Sequence, residues 1–535
     1  MEIAIGILGG LGLFLYGMNL MAEGLQKAAG EKLKRIVEKL TSNIVMGVIV
    51  GTVVTGIIQS SSAATVMVVG FVNAGIMTLA QAIGVIMGAN IGTTVTAQIV
   101  SFKLEDFAPL ALGIGIIFYL FSKKQKTKEL ALILLGFGML FTGMELMKDA
   151  VKPLSEYQGF RDALVYFGEH QILGILAGFL ITGVVQSSSA SMGMLIALAS
   201  EGLIPLAAAL PILYGDNIGT CVTSLLSSIG ASRNAKRAAF MHLTFNVLGT
   251  LIFMIILNGP ITKLVTYIDP NEPARQIANA HTLFNVINVI ILLPFAKYIV
   301  KFVTKLIPIT EEESGASIRT KYLDERILQT PSIALGNTVK EILRMGDKAN
   351  KALELSINSL INKSKEDVEK TLKQEETVNA LQKDILNYLL QLSKSPLNDD
   401  ERHKIDLLFN TVNDIERVSD HAENISELSM IAIEKELKFS ENAIDEMKNI
   451  YNKVSANFKT SLKCLEERNK ELTSSIYKIE DEVNSLEKQY KKSHMDRLNN
   501  GKCTIDSGVL FLDLLTNLER VSDHACNIAN QVNSN

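Results

Sequence analysis

Hydrophobic runs of membrane-spanning length recur through the first 300 residues and then stop. They lie near residues 3–22, 44–72, 76–100, 107–121, 129–147, 171–200, 203–229, 239–257 and 279–300. A helix of about 20 apolar residues crosses a hydrocarbon layer of about 30 Å. From about Ile333 the pattern changes to apolar residues three and four apart among charged ones, which predicts amphipathic helices. Six are expected, near 333–362, 366–394, 400–433, 439–472, 474–492 and 504–533. The expected fold is all-α: a polytopic membrane part followed by a soluble pair of three-helix bundles.

Both parts are internally repeated. Thr55-Gly56-Ile57-Ile58-Gln59-Ser60-Ser61-Ser62-Ala63 returns as Thr182-Gly183-Val184-Val185-Gln186-Ser187-Ser188-Ser189-Ala190. At the same offset, Gly88-Ala89-Asn90-Ile91-Gly92-Thr93-Thr94-Val95-Thr96 returns as Gly215-Asp216-Asn217-Ile218-Gly219-Thr220-Cys221-Val222-Thr223. Gly10-Leu11-Gly12 with Gly17-Met18-Asn19-Leu20-Met21 parallels Gly136-Phe137-Gly138 with Gly143-Met144-Glu145-Leu146-Met147. In the soluble part, Glu416-Arg417-Val418-Ser419-Asp420-His421-Ala422 parallels Glu519-Arg520-Val521-Ser522-Asp523-His524-Ala525.

Lys and Arg crowd the loops at 24–43, 122–128 and 230–238 and thin out at 101–106, 148–170 and 258–278. The positive-inside rule places the first three in the cytoplasm and the others outside. Lys297, Lys301 and Lys305 put everything after residue 300 inside, with the N-terminus outside. Only two apolar segments are then available where the chain must cross an odd number of times, from 24–43 to 101–106 and from 148–170 to 230–238. One of each pair must re-enter or break. The Gln-Ser-Ser-Ser runs sit in the middle of 44–72 and 171–200, so the expectation is two broken hairpins entering from opposite sides, an inverted repeat.

Composition adds little. The formal charge of -4 is small, and no nucleic-acid partner is expected. Cys221, Cys464, Cys503 and Cys526 show no paired spacing, which fits free thiols in a reducing compartment. The first apolar stretch lacks a basic leader and a cleavage site, so it is expected to be a retained membrane helix.

The repeats carry the candidate chemistry. Hydroxyls and amides in lipid cost several kcal/mol each unless partnered, so Gln59, Ser60, Ser61, Ser62, Gln186, Ser187, Ser188 and Ser189 are expected to line an enclosed wet or ligand-filled pathway. Broken-helix N-termini and serine hydroxyls suit a small anion. Asn90, Thr93, Asn217 and Thr220 offer oxygens for a hard monovalent cation, beside glycines that permit unwinding or close backbone approach. Asp216, whose counterpart is Ala89, would add charge there or carry a proton, or else sit at a wet vestibule or neutralise a Lys or Arg from elsewhere. His242-x-x-Phe245-Asn246 and His281-x-x-Phe284-Asn285 are expected mainly to hydrogen-bond neighbouring helices. Glu416, Asp420, Glu519 and Asp523, brought together by the soluble repeat, are the expected ligands of one or more metal ions. No nucleophile–base or phosphate-loop arrangement appears, and no enzyme is expected.

At these residues the chain resembles the type II sodium-dependent phosphate cotransporter family, whose bacterial members often carry a cytoplasmic PhoU-like domain. The resemblance rests on both Gln-Ser-Ser-Ser runs, Ala74-Gly75-Ile76-Met77-Thr78, Gln81-Ala82-Ile83, Ile86 to Thr93, its second copy, and His242 to Asn246. The Glu-Arg-Val-Ser-Asp-His-Ala copies resemble metal-binding motifs of PhoU-like proteins, which implies divalent or iron-type ions. Two departures stand out: residues 107–121 lack the His-x-x-Phe-Asn pattern that many members carry in the first repeat, and Asp216 replaces a small residue. The resemblance implies a transmembrane domain over 1–305 (repeats at about 3–121 and 129–257), a linker over 306–332 and a PhoU-like regulatory domain over 333–535. It implies sodium-coupled transport of inorganic phosphate across the plasma membrane, with a cytoplasmic regulatory partner or a homo-oligomer in attendance. A phosphate exporter and a phosphate-sensing scaffold are the alternatives.

Overall fold

The computed structural model describes residues 2–38, 43–159, 166, 170–308, 320–395, 397–467 and 469–533. Lys39 and most of the 160–169 loop, counted above for orientation, lie outside the described residues, as do Glu311 to Gly315 of the linker. Among the described residues there is no strand. The chain forms two units: Met1–Ser314 with Asp324–Ile333, and Gly315–Leu323 with Ala334–Asn535. The expected linker is therefore divided, and its residues 324–332, with Ile333 after them, pack as part of the first unit.

The first unit contains α1 (Glu2–Glu38), α2 (Ile44–Ile58), α3 (Ser61–Asn73), α4 (Leu79–Val100), α5 (Ala108–Phe121), α6 (Gln125–Val151), α7 (Gln171–Val185), α8 (Ser188–Ser200), α9 (Leu206–Gly219), α10 (Cys221–Ser227), α11 (Arg233–Ile252), α12 (Asn258–Ile268), α13 (Pro273–Leu292) and α14 (Ala296–Leu306). Among the described residues, five stretches are long and apolar enough to cross a membrane: Glu2–Ala29, Leu79–Val100, Gln125–Leu154, Arg233–Ile268 and Pro273–Leu306. The two serine-bearing segments break, each into 15 and 13 residues. At 1.5 Å per residue each piece is about 20 Å long, too short to span.

Glycine sets how these helices meet. A Cβ built on Gly10 would fall 2.8 Å from Gly143 O, and one on Gly17 would fall 2.7 Å from Gly136 O, so α1 and α6 touch backbone to backbone. Gly10 and Gly17 are the sequence counterparts of Gly136 and Gly143. Each thus contacts the other's counterpart, the exchange that a two-fold axis between antiparallel helices produces. Within each half the second seam repeats residue for residue. A Cβ on Gly88 would fall 2.0 Å from Val48 O, and one on its counterpart Gly215 would fall 1.9 Å from Ile175 O.

The second unit is built from α15 (Pro331–Asn362), α16 (Lys365–Leu392), α17 (Asp399–Glu434), α18 (Glu441–Glu467), α19 (Glu471–Asn499) and α20 (Ile505–Asn533). Ser364 starts α16 by accepting from Asp367 N at 3.2 Å, and Asn398 forms a capping box with Glu401 at the start of α17. The two bundles meet where α17 packs against α20. There His421 Nδ1 lies 2.9 Å from Asn517 Oδ1, and His524 Nδ1 lies 2.9 Å from Asp414 Oδ1. Residue 414 is the repeat counterpart of 517, as 421 is of 524, so this contact too has local two-fold character.

The α1–α6 seam gives a paired prediction. Gly17→Ala should lower the thermal stability of the detergent-solubilised full chain by an overpacking cost of about 1–3 kcal/mol. Gly12→Ala, with nothing within 4 Å of the new Cβ, should be neutral or stabilising by up to about 1 kcal/mol. Unfolding midpoints of the two variants check both.

Candidate functional site

The serine runs are turns between half-helices. α2 ends at Ile58, and Gln59 takes a left-handed conformation (φ 59°, ψ 22°) with its N–H on Thr55 O. Ser60 is extended, and its Oγ accepts from Ala63 N at 3.1 Å, capping α3. The second run does the same: Gln186 has φ 55°, and Ser187 Oγ accepts from Ala190 N at 3.2 Å. A left-handed non-glycine residue costs of order 1 kcal/mol and persists only where its surroundings impose it. Both cap hydroxyls accept from the backbone, leaving their O–H to donate outward. The first N–H groups of α3 and α8 have no helical partner. Each tip therefore gathers donors, and Ser61, Ser188 and Ser189 are buried while Ser60, Ser62 and Ser187 are half-buried.

The two tips differ in one respect. Gln59 is 5% exposed; its Oε1 accepts from Thr96 Oγ1 at 2.8 Å and its Nε2 donates to Gly56 O. The counterpart pair is not made: Gln186 is exposed, and the buried Thr223 hydroxyl has no partner. The first tip is locked and the second is open.

The Gly-x-Asn-Ile-Gly-Thr segments lie on α4 and α9. Helix α4 runs unbroken through Gly88 and Gly92, so these glycines serve close approach rather than unwinding. In the second copy the helix is interrupted at Thr220, between α9 and α10. Thr93 donates to Ala89 O and Thr220 to Asn217 O, which leaves their oxygen lone pairs available. Asn217 Nδ2 donates to Leu213 O, leaving its Oδ1 side for a ligand. Asn90 is engaged at both ends: Nδ2 donates to Asn246 Oδ1 at 3.2 Å, and Oδ1 lies 3.4 Å from His242 Nε2.

Asp216 is 2% exposed; Oδ1 accepts from Thr182 Oγ1, and Oδ2 has no partner. In the first copy Ala89 replaces the aspartate, and the Thr55 hydroxyl is orphaned in consequence. The two His-x-x-Phe-Asn copies also part company. His242 and Asn246 on α11 tie Asn90, Ser224 and Cys221 together. On α13, His281 Nδ1, Asn285 Oδ1 and both polar atoms of Asn288 are buried without a partner. Orphans of this kind cost about 1–3 kcal/mol each if dry, so this face is one that water or an ion would wet. Sequence reasoning did not single out Thr96, Thr182 or Asn288. The first two lie inside the repeated segments, where the repeat itself was the available signal.

In the second unit the four expected metal ligands do not meet. Among the described residues no three His, Cys, Asp or Glu side chains converge on one ion position. Arginines within the motifs take up the charge instead: Arg417 lies 3.7 Å from Asp420, and Arg520 lies 3.7 Å from Glu519 and 3.5 Å from Asp523. Burial, then the neighbouring aspartate, holds the Glu416 and Glu519 carboxyls above their ordinary range. As placed, these residues do not fit a metal centre.

The chain matches the model of the Na+/Pi-cotransporter family over residues 13–149 and again over 150–288. It matches the PhoU domain model over 342–429 and 447–532. It is similar to YjbB of Escherichia coli (strain K12), whose name assigns it provisionally to inorganic phosphate export, at 26% identity over 98% of this chain and 96% of that one. The uncharacterized protein YqeW of Bacillus subtilis is 33% identical over 44% of this chain and 76% of its own. Sodium-dependent phosphate transport protein 2A of Rattus norvegicus is 39% identical over 18% of this chain and 15% of its own.

Thr96→Val strips Gln59 Oε1 of its donor and should cost about 1–3 kcal/mol, whereas Thr223→Val removes an unpartnered hydroxyl and should be near neutral; thermal unfolding of the two variants checks this. Burial holds the His421 imidazole below its ordinary value, so the folded state binds fewer protons than the unfolded chain. The stability it contributes is present above pH about 6.5 and lost as pH falls below that. His421→Gln should flatten part of the acid-side loss in unfolding curves taken between pH 5 and 8.

Proposed function

The chain belongs to the Na+/Pi-cotransporter family and carries a PhoU domain, and from that premise we propose that it moves inorganic phosphate across the plasma membrane by alternating access, with sodium as the coupling ion. The observation that carries this reading is the pair of capped serine tips, alike in backbone conformation, within an apolar helical unit. Phosphate would take the outward donors of Gln59, Ser60, Ser61 and Ser62 on one side and of Gln186, Ser187, Ser188 and Ser189 on the other. The four repeated core segments contain no Lys or Arg. A bare phosphate anion in a low-dielectric site is costly without counter-charge, so accompanying cations are the natural compensation. Asn90, Thr93, Asn217, Thr220 and Asp216 are the oxygens we assign to them, Asn90 only once its amide is released from His242 and Asn246.

Inverted topology is supported by the glycine exchange between α1 and α6 and by the grouping of the loops. Lys103–Glu272, Arg275–Ser101 and Lys148–Glu105 contacts gather one set at one end of the unit. The Asn73–Ser232 bond gathers another, including the basic 230–238 loop, which we place in the cytoplasm with the PhoU-like unit. On this reading the locked Gln59–Thr96 pair and the open Gln186–Thr223 pair exchange roles when access alternates. The PhoU-like unit regulates the cycle; no covalent step is involved.

Export is a second reading, favoured by the name of the Escherichia coli relative, which matches along nearly its whole length. The test is radiolabelled phosphate flux in proteoliposomes of defined orientation, with the sodium gradient imposed in either direction. Gradient-driven flux that falls at least tenfold in Ser61→Ala/Ser188→Ala is the expected result. Flux only from the face bearing the PhoU-like unit would select export, and its absence in both directions would overturn transport.

A further inference from the structure

Between the last membrane helix and the second unit, residues 324–330 do not hang free. Asp324–Ile333 belongs to the membrane unit, and 325–329 forms a short 3-10 turn capped by Asp324. This strap lies on α3, the second half of the first serine hairpin. Ile327 is 0% exposed, and its Cγ1 would stand 3.1 Å from a Cβ on Gly70 of α3. Thr330, 1% exposed, donates to Met67 Sδ at 3.4 Å. Asn73, the last residue of α3, donates to Asp324 Oδ2 at 2.8 Å and accepts from Ser232 N at 2.8 Å. Arg326 completes the tie: its guanidinium lies 2.7 Å from Asp324 Oδ2 while Nε donates to Ser227 O at 2.7 Å.

Three features make this more than a tether. The strap joins α3, from the first repeat, to the α10–α11 turn, from the second, at one end of the unit. It grips the helix whose first residues, Ser61 and Ser62, form the candidate anion tip about 13 Å further along the same rod. Its bonds centre on the buried Asp324 carboxylate, with the half-buried Asn73 amide and Arg326 guanidinium on it, so it holds its partners in one register. Immediately before the strap, the chain is anchored in the other unit: Glu341, fully buried, accepts from Lys321 N at 3.0 Å and Tyr322 N at 2.7 Å. The chain passes from one unit to the other between Leu323 and Asp324.

We propose that residues 324–330 are a latch that holds the two repeats together at the strap-bearing end, and that the PhoU-like unit regulates the membrane unit by drawing this latch off α3. The latch rests on the transport reading only for what it controls. If opening at that end requires the repeats to part, Asp324, Arg326, Asn73 and Ser227 must first let go.

The test uses the full chain in proteoliposomes with two readouts: phosphate flux, and labelling by a membrane-impermeant maleimide of a Thr65→Cys reporter, resolved from the native cysteines by mass spectrometry. Thr65 is fully buried on α3 one turn from the tip. Asp324→Ala/Arg326→Ala should speed labelling at least tenfold and raise flux severalfold, with the phosphate half-saturation unchanged. Asp324→Asn, which keeps the bond to Asn73 and loses the ion pair, should fall between. A disulfide between Asn73→Cys and Asp324→Cys should stop flux, and reductant should restore it. Faster labelling in a chain that carries no phosphate would sustain the latch and sink the transport reading. Normal flux with unchanged labelling in the double variant, and unhindered flux in the oxidised pair, would overturn the latch and leave a passive tether.

Discussion

A helix that stops partway through a hydrocarbon layer leaves N–H and C=O groups that lipid cannot satisfy. Everything in the first unit follows from enclosing two such stops. Gln59-Ser60 and Gln186-Ser187 can exist only because other helices press close around them, and they press close because glycine lets them. The near-contacts of Gly88 with Val48 and of Gly215 with Ile175 seat the first half-helix of each hairpin on α4 and α9, so that Gln59, Ser61, Ser188 and Ser189 are buried in protein while Gln186 stays exposed. Polar side chains then become affordable at depth. A serine there is capping a helix and offering a donor, not enduring a desolvation penalty.

Duplication supplies the scaffold and its exceptions supply the asymmetry. Thr55 and Thr182 occupy equivalent places, yet only Thr182 has an aspartate to bond. Thr96 holds Gln59, yet Thr223 holds nothing. On α11 the His-x-x-Phe-Asn pair is engaged with Asn90, while on α13 His281 Nδ1 and Asn285 Oδ1 are left unpaired. The backbone of the two halves is repeated and their polar contacts are not, so equivalent residues sit in unequal environments.

The second unit obeys the same economy with different materials. Its two-fold contact is made by His421 and His524 reaching across to Asn517 and Asp414, so one member of the pair meets a charge and the other an amide. The acidic motifs beside them are balanced by Arg417 and Arg520 rather than gathered into a ligand cage.

The sequence by itself determined the all-helical class, both repeats, the two breaks and the residues at the tips. These depend on local chemistry, hydropathy, caps and turn residues, or on comparing the chain with itself, and all of that is one-dimensional. Many helix ends came within a few residues for the same reason, but α1 runs on to Glu38 and α19 to Asn499, well past the expected stretches at 3–22 and 474–492. Only the tertiary structure decided that the repeated glycines pack rather than unwind, because Gly88 and Gly219 take that role only where a neighbouring backbone, at Val48 or Phe179, comes close. It also decided that the His242 ring is bonded while His281 Nδ1 is not, that the motif carboxylates do not gather with a third ligand among the described residues, and that part of an apparent linker is held to α3. Pairings between residues 73, 232 and 324, or 59 and 96, depend on where distant segments meet in space. No periodicity or motif along the chain records that.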